Sequence, residues 1–341
     1  MTTSTTSTRT ARRIATSNLY NLADAGMEYY PGRKYSDTYY ARKIKWLGHR
    51  FATIRADLVG VQEVFSQQAL TAAVQAANSL DGDPAYPNAI VIADGYGPSQ
   101  PAVGLVTTLP IIEEAVYHTD FPADAVLHDD FQRFSRPVLK VGVALAEGET
   151  ASVFVTHLKS KRGIFASGED EADPLAQARA SARALLKRAC EATALRSLVL
   201  SELERDQQQR AVIVLGDLND AAHAVTTVAV GGQTYMGYLP GESKQERSER
   251  IERSWRARLY SAWDIQFRRP PRDVYFTHIF DGLHESLDHI FVSEEFNRRN
   301  PKHRWTIDRT EVLNDQLGTD GRADPWASDH GSVVTTLRPR S

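Results

Sequence analysis

Polar residues end or interrupt apolar runs at five places along the chain, and their types suit metal-assisted hydrolysis. They are Asn18 in "TSNLYNL", Glu63 in "VGVQEVF", His157 in "VTHLKSK", Asp217 with Asn219 in "VIVLGDLND", and two Asp-His dipeptides. The dipeptides are Asp288-His289 in "SLDHIFVS" and Asp329-His330 in "WASDHGSVV". Each alone has a plain explanation, because Gly, Asp and Asn favour turns and Asp-His arises by chance. Together they form a set. Asp217 and Asn219, two apart at a strand end, can face one side. With Glu63 and Asp329 they offer the hard oxygen ligands that Mg²⁺ or Mn²⁺ prefers. The histidines add proton transfer near neutral pH. Without a nucleophilic Ser or Cys motif, the set points to water attack assisted by a metal, with a phosphate ester as the matching electrophile. Ligands of open α/β sheets bind beyond the carboxyl ends of strands, where these residues fall.

Such a set needs strands to carry it. Eleven runs read as strands: "RIATSNLYN", "DLVGVQEV", "AIVIA", "AVGLVTT", "IIEEAVYH", "RPVLKVGVAL", "SVFVTHLK", "AVIVLGD", "DVYFTHIF", "SLDHIFVS" and "GSVVTTLR". That is more than one strongly twisted sheet usually holds, so two packed sheets are expected. Tyr40, Ile44, Leu47, Phe51 and Ile54 form a helical stripe. Asp173 and Pro174 have the types of an N-cap and a first helical residue, ahead of a stripe from Leu175 through Ala178, Ala182, Leu185 and Ala189. "ESKQERSERIERSWRAR" is read as a solvated, self-paired helix through Glu246–Arg250, Glu249–Arg253 and Glu252–Arg256 rather than as a phosphate-binding patch. The sequence predicts a disordered Thr/Ser-rich tail over residues 1–11, then one α/β domain over 12–341 with helical insertions near 165–208 and 241–262.

Apolar residues at 42% and charged ones at 24% belong to a soluble globular protein. The net charge of −3 gives no global pull toward nucleic acid or anionic lipid, so such binding must rest on local patches. Cys190 is the one cysteine, which excludes an internal disulfide and a cysteine-rich metal site. No apolar run is long enough to span a bilayer. These features predict a cytoplasmic protein without stable membrane association.

The order and wording of "QEVF", "THLKSK", "LGDLND", "LDHIFVS" and "SDH" resemble the endonuclease/exonuclease/phosphatase superfamily, whose fold is that of pancreatic-type deoxyribonuclease. The resemblance runs from Ile14 to about Thr336. It implies a four-layer α/β sandwich, two mixed sheets with helices outside. It also implies roles. Glu63 would be the principal Mg²⁺ or Mn²⁺ ligand, with Asn18 beside it and Asp329 completing the shell. Asp217 would orient or deprotonate the attacking water, and Asn219 would hold the water or the phosphate. His330, braced by Asp288, would stabilise developing charge, and His157 would donate a proton to the leaving group. Arg136 in "FSRPVLKV" resembles the family's phosphate-binding arginine. "QEVF" is closer to the sphingomyelinases of the family and "THLKSK" to its bacterial nucleases.

Nucleic acid, DNA before RNA, is the expected substrate. From Arg33 to Arg50 six basic residues are interleaved with tyrosines and Trp46, a candidate platform for backbone and bases. Lys159 and Lys161, beside His157, are expected to alternate outward toward the phosphate. A phospholipid or small-molecule phosphodiesterase is the alternative. Its signature would be an exposed aromatic hairpin, and "DVYFTHIFDGLHE" instead alternates as a core hairpin does. A non-catalytic binding module comes last, because every mapped position holds a competent residue.

Overall fold

The computed structural model describes residues 11–93, 100–205, 210–233, 236–267, 275–280, 282–317 and 325–340, so all but the last residue of the expected tail lies outside them. In chain order the first half comprises β1 (Arg12–Leu22), β2 (Glu28–Tyr30), β3 (Arg33–Lys34), α1 (Asp37–Ile54), β4 (Leu58–Val64), α2 (Gln67–Asn78), β5 (Ile90–Ile92), β6 (Ala102–Thr107), β7 (Ile111–Asp120), β8 (Arg133–Ala146) and β9 (Glu149–His157). Then follow α3 (Pro174–Arg205), β10 (Ala211–Asp217), α4 (Val225–Gly231), α5 (Lys244–Arg256), β11 (Tyr260–Ser261), α6 (Ala262–Phe267), β12 (His278–Phe280), β13 (Leu283–Glu285), β14 (Asp288–Val292), β15 (Trp305–Leu313) and β16 (Ser332–Pro339).

Two six-stranded mixed sheets pack face to face. Sheet one has the order β15-β16-β1-β4-β6-β5 and sheet two the order β11-β14-β10-β9-β8-β7. Strand alternation builds the layers. In β10, Ile213 and Leu215 face sheet one, while Val212 and Val214 face outward under α3. On the other side Ala15, Val59 and Val61 pack beneath Leu47 and Phe51 of α1 and Leu70 of α2. The result is the four-layer α/β sandwich. Burying each such aliphatic side chain contributes about 1.5–3 kcal/mol, so the layer between the sheets fixes their mutual position. Gly60 lets the sheets close: a Cβ there would sit 1.9 Å from Leu215 Cδ1.

Local signals account for the helices. Ser36 caps α1, and Asp173 Oδ2 accepts from Ala176 N at the start of α3, with Pro174 as its first residue. In α5, Glu252 pairs with Arg256 at 2.5 Å as expected. Arg250, however, reaches Glu242 at 2.7 Å, and Glu246 closes a capping box on Ser243. β15 escapes the sequence pattern because it is an edge strand, with Asp308 and Arg309 at a bulge where the register shifts. "DVYFTHIF" shortens to β12 within the described residues, which begin at Tyr275 there. β12 and β13 stand as a separate hairpin whose Phe280 and Leu283 are 68% and 65% exposed. The alternation holds for Thr277 and Ile279, which are buried, while the tip of the expected core hairpin is apolar and exposed.

Candidate active site

The register of five strands gathers the expected residues at one edge of the sandwich. β9 and β10 are parallel and place His157 opposite Asp217, while antiparallel β14 places Asp288 on the other side of Asp217. β1 and β4, also parallel, end together and bring Asn18 and Glu63 to the same edge. Gly216 permits the close approach at its φ of +148°, since an added Cβ would meet the Thr156 carbonyl oxygen at 2.0 Å.

Backbone strain concentrates here. Six non-glycine residues have positive φ among those described, and Tyr20, Asn21, Glu63 and Asn219 are four of them. Left-handed backbone costs such residues on the order of 1–3 kcal/mol each, which persists only where the surroundings over-determine it. The bends have visible partners. Asn21 N and Asn18 Nδ2 donate to the two oxygens of Glu63 at 3.0 and 3.3 Å. Asn219 leaves the strand, so alternation does not set its direction. Its backbone N donates to Asp217 Oδ1 at 2.8 Å and its Nδ2 to the Leu158 carbonyl at 3.0 Å. Arg136 Nη1 donates to that same carbonyl at 3.2 Å.

Asp217 Oδ2 is the meeting point. Asn18 Nδ2 lies 3.2 Å away, His157 Nε2 3.5 Å and His330 Nε2 3.9 Å. His330 Nδ1 is 2.7 Å from Asp288 Oδ2, and Ser328 Oγ holds the His330 backbone N at 3.0 Å. Burial pushes the Asp217 carboxyl up to about 7, against the pull of His330. Burial works the other way on His330, but Asp288, Asp217 and Asp329 outweigh it and hold the imidazole well above its ordinary range. His157 goes down, because burial and then the Arg136 and His330 cations disfavour its charge. Three adjacent groups thus have separated proton affinities, the arrangement that acid–base chemistry needs.

The edge also suits a cation. Burial, then the neighbouring Asp329, push Glu63 above the usual carboxylate range, with His330 and Arg136 pulling it back. The neighbouring carboxylates of Glu63 and Asp329 are hard donors whose repulsion a divalent ion would relieve, whereas Asn18 turns its Nδ2 to Glu63 and Asp217 and its Oδ1 to Tyr20 N, and so braces the ligands as it stands. Ligand atoms of His278, Asp329 and His330 lie within 4.8 Å of one another, as do those of Asp217, Asp288 and His330.

His278 and Lys43 are missing from the sequence reading. The His278 ring is 4.8 Å from that of His330, brought there by a β-bridge between the two residues. Lys43 of α1 is 0% exposed, and its Nζ finds no hydrogen-bond partner among the described residues. It lies 5.4 Å from the Tyr20 ring and 5.9 Å from that of Tyr35. Burial lowers it to about 8, while Glu63 and Asp329 pull it back up. A lysine within a helix whose periodicity explains the rest gives no local signal of this.

Of the expected substrate contacts, Arg136 lies at the site, but the two lysines are not where the sequence placed them. β9 ends at His157, so Lys159 and Lys161 leave the strand rather than alternate along it. Lys159 Nζ donates to the carbonyls of Ser160 and Arg162 at 3.0 and 2.6 Å, and Lys161 pairs with Glu285 of β13. The Arg33–Arg50 run is divided: Tyr35 is buried with Phe65, Lys43 is buried and Arg50 pairs with Asp315 at 2.9 Å, whereas Arg33, Lys34, Arg42 and Lys45 are exposed.

The sequence model of the Endonuclease/Exonuclease/phosphatase family matches residues 16–330. No curated protein sequence matches the chain. Among solved structures, TDP2 from D. rerio complexed with a single-strand DNA product aligns with a TM-score of 0.54 at 13% identity, covering 96% of this chain and 99% of that one. TDP2 from C. elegans gives 0.55 at 14% identity, over 96% and 75%. A mannosyl-6-phosphatase from Bacteroides thetaiotaomicron gives 0.52 at 17% identity, over 96% and 99%. At such identities the likeness is one of fold.

Proposed function

The chain belongs to the endonuclease/exonuclease/phosphatase family, and from that premise we propose that it is a divalent-metal phosphodiesterase whose preferred substrate is DNA. The observation that carries this is the convergence of Asn18, His157 and His330 on Asp217 Oδ2, at 3.2, 3.5 and 3.9 Å. A carboxylate so placed can orient a water and take its proton. His330, kept protonated by Asp288, offers positive charge to a phosphate oxygen. Arg136 and Asn219, tied to the Leu158 carbonyl, present further donors on the His157 side. Mg²⁺ or Mn²⁺ held by Glu63 and Asp329, with Asn18 beside them, would neutralise charge on the phosphate. His157 is neutral as it stands, so delivering a proton to the leaving group requires substrate charge to raise its proton affinity first.

The deciding experiment is a substrate panel with and without Mg²⁺ and Mn²⁺: supercoiled plasmid, linear DNA, RNA, sphingomyelin vesicles and bis-nitrophenyl phosphate. Metal-dependent turnover of DNA above the others is expected. One observation favours a lipid phosphodiester instead: the apolar tip of Phe280 and Leu283 on the hairpin that carries His278. Turnover of sphingomyelin but not DNA would transfer the assignment to it.

A further inference from the structure

A basic groove lies at the end of sheet two opposite the catalytic edge. Asp217 pairs with Asp288 at the edge, whereas Ile213 pairs with Val292 at the far end, and residues 294–304 follow from there. That segment, α5 and the turn at Gly148 enclose a cavity of about 1090 Å³. A second cavity of about 340 Å³ shares Trp255, Glu294 and Arg299 with it, so the two form one elongated depression. β10 spans 7 residues between the two ends. At about 3.3 Å per residue the groove stands roughly 20 Å from Asp217.

The charges in the groove are unbalanced. Seven lysines and arginines line the two cavities against four acids: Glu252, paired with Arg256 at 2.5 Å, Glu294 and Glu295, which accept from Asn297 Nδ2 at 3.2 Å and from the Ser293 hydroxyl, and exposed Asp264. Lys244, Arg299 and Lys302 are exposed, and their side chains make no hydrogen bond or ion pair among the described residues. Beside them the Trp255 ring is 46% exposed, on a helix whose Ile251 is buried beneath. The volume far exceeds what one phosphate needs. Uncompensated cations along a groove, next to an open aromatic face, match a flexible polyanion with flat faces of its own.

We infer that this groove is a second, non-catalytic site for single-stranded nucleic acid, its backbone on Lys244, Arg299 and Lys302 and a base on Trp255. The inference rests on the nucleic-acid reading of the active site for the identity of its ligand, but its test does not use turnover. Binding is measured by anisotropy of a fluorescent oligothymidylate of about 12 nucleotides, with the full chain carrying Asp217→Asn, across a salt series. The triple variant Lys244→Gln, Arg299→Gln, Lys302→Gln in that background should weaken binding at least about tenfold and flatten the log–log salt slope by about two units. Trp255→Ala should weaken it by about tenfold with the slope unchanged. Introduced into the otherwise native chain, the triple substitution should leave turnover of bis-nitrophenyl phosphate unchanged. Loss of binding in a protein that turns over no phosphodiester would keep the groove and sink the catalytic reading. Equal affinity and slope in the triple variant overturn the inference, as does an unbound oligonucleotide at low salt. An affinity insensitive to Trp255→Ala overturns its assignment to a nucleic-acid strand.

Discussion

His330 Nδ1 meets Asp288 Oδ2 at 2.7 Å across 42 residues of sequence, and both side chains are buried. The carboxylate keeps the imidazole charged, so the form able to stabilise a phosphate persists as pH rises and is lost only through the raised pKa of His330. His330→Ala should lower kcat by about 10²–10⁴. Asp288→Asn should lower it less and move the alkaline limb of the kcat profile to lower pH. A profile unmoved by Asp288→Asn would dissociate the pair from catalysis.

Asp217→Asn should cost about 10²–10⁴ in kcat while circular dichroism stays native. It should also stabilise the metal-free protein. The folded carboxyl sits at about 7 against 3.8 when free, so its stabilisation is full below 3.8 and lost as pH rises through 7. At pH 8 the amide removes that burden, by roughly 2–4 kcal/mol in chemical denaturation.

Lys43→Met addresses a charge held without a hydrogen bond among the described residues. Its folded value of about 8 against 10.5 means stability present above 10.5 and lost as pH falls through 8. The metal-free variant should gain roughly 3 kcal/mol at pH 7, and the gain should vanish above 10.5. With the ammonium gone from beside Glu63 and Asp329, turnover should fall. A variant that is more stable and fully active would make Lys43 a structural leftover.

Chelation should abolish turnover, and Glu63→Gln should weaken Mg²⁺ binding at least about tenfold by calorimetry, because one of few carboxylate ligands is lost. Undiminished activity in excess chelator would rule out the metal.

Substrate class is read by salt and by vesicles. DNA binding by the Asp217→Asn protein should weaken steeply with salt. Lys161 is already paired with Glu285 and Lys159 turned onto carbonyls, so neutralising both should change the slope by less than about one unit. Sphingomyelin vesicles should not float the protein. Flotation abolished by Phe280→Ser with Leu283→Ser would favour the lipid substrate.

The sequence by itself determined the main layers and the residue types that stand at the strand ends. "GDLND", "QEVF" and "SDH" state which donors stand at strand ends, and the apolar periodicities of β10 and α1 follow from local burial. These are short-range properties, written within a few residues. What only the tertiary structure decided are meetings across the chain and the direction of side chains beyond the last strand residue. Asn18 reaches Asp217 over 199 residues because two sheets pack, and left-handed bends at Tyr20, Asn21 and Glu63 aim what alternation cannot. Lys43 looks like any helical lysine until the fold closes over it. Phe280 and Leu283 read as part of the same alternation as Ile279, but only Ile279 is buried, and the two residues at the tip stand exposed among the described residues. Charge compensation is likewise decided in space. Lys161 is consumed by Glu285 and Lys244 is left open because a partner's distance, not its position in the sequence, sets the Coulomb energy.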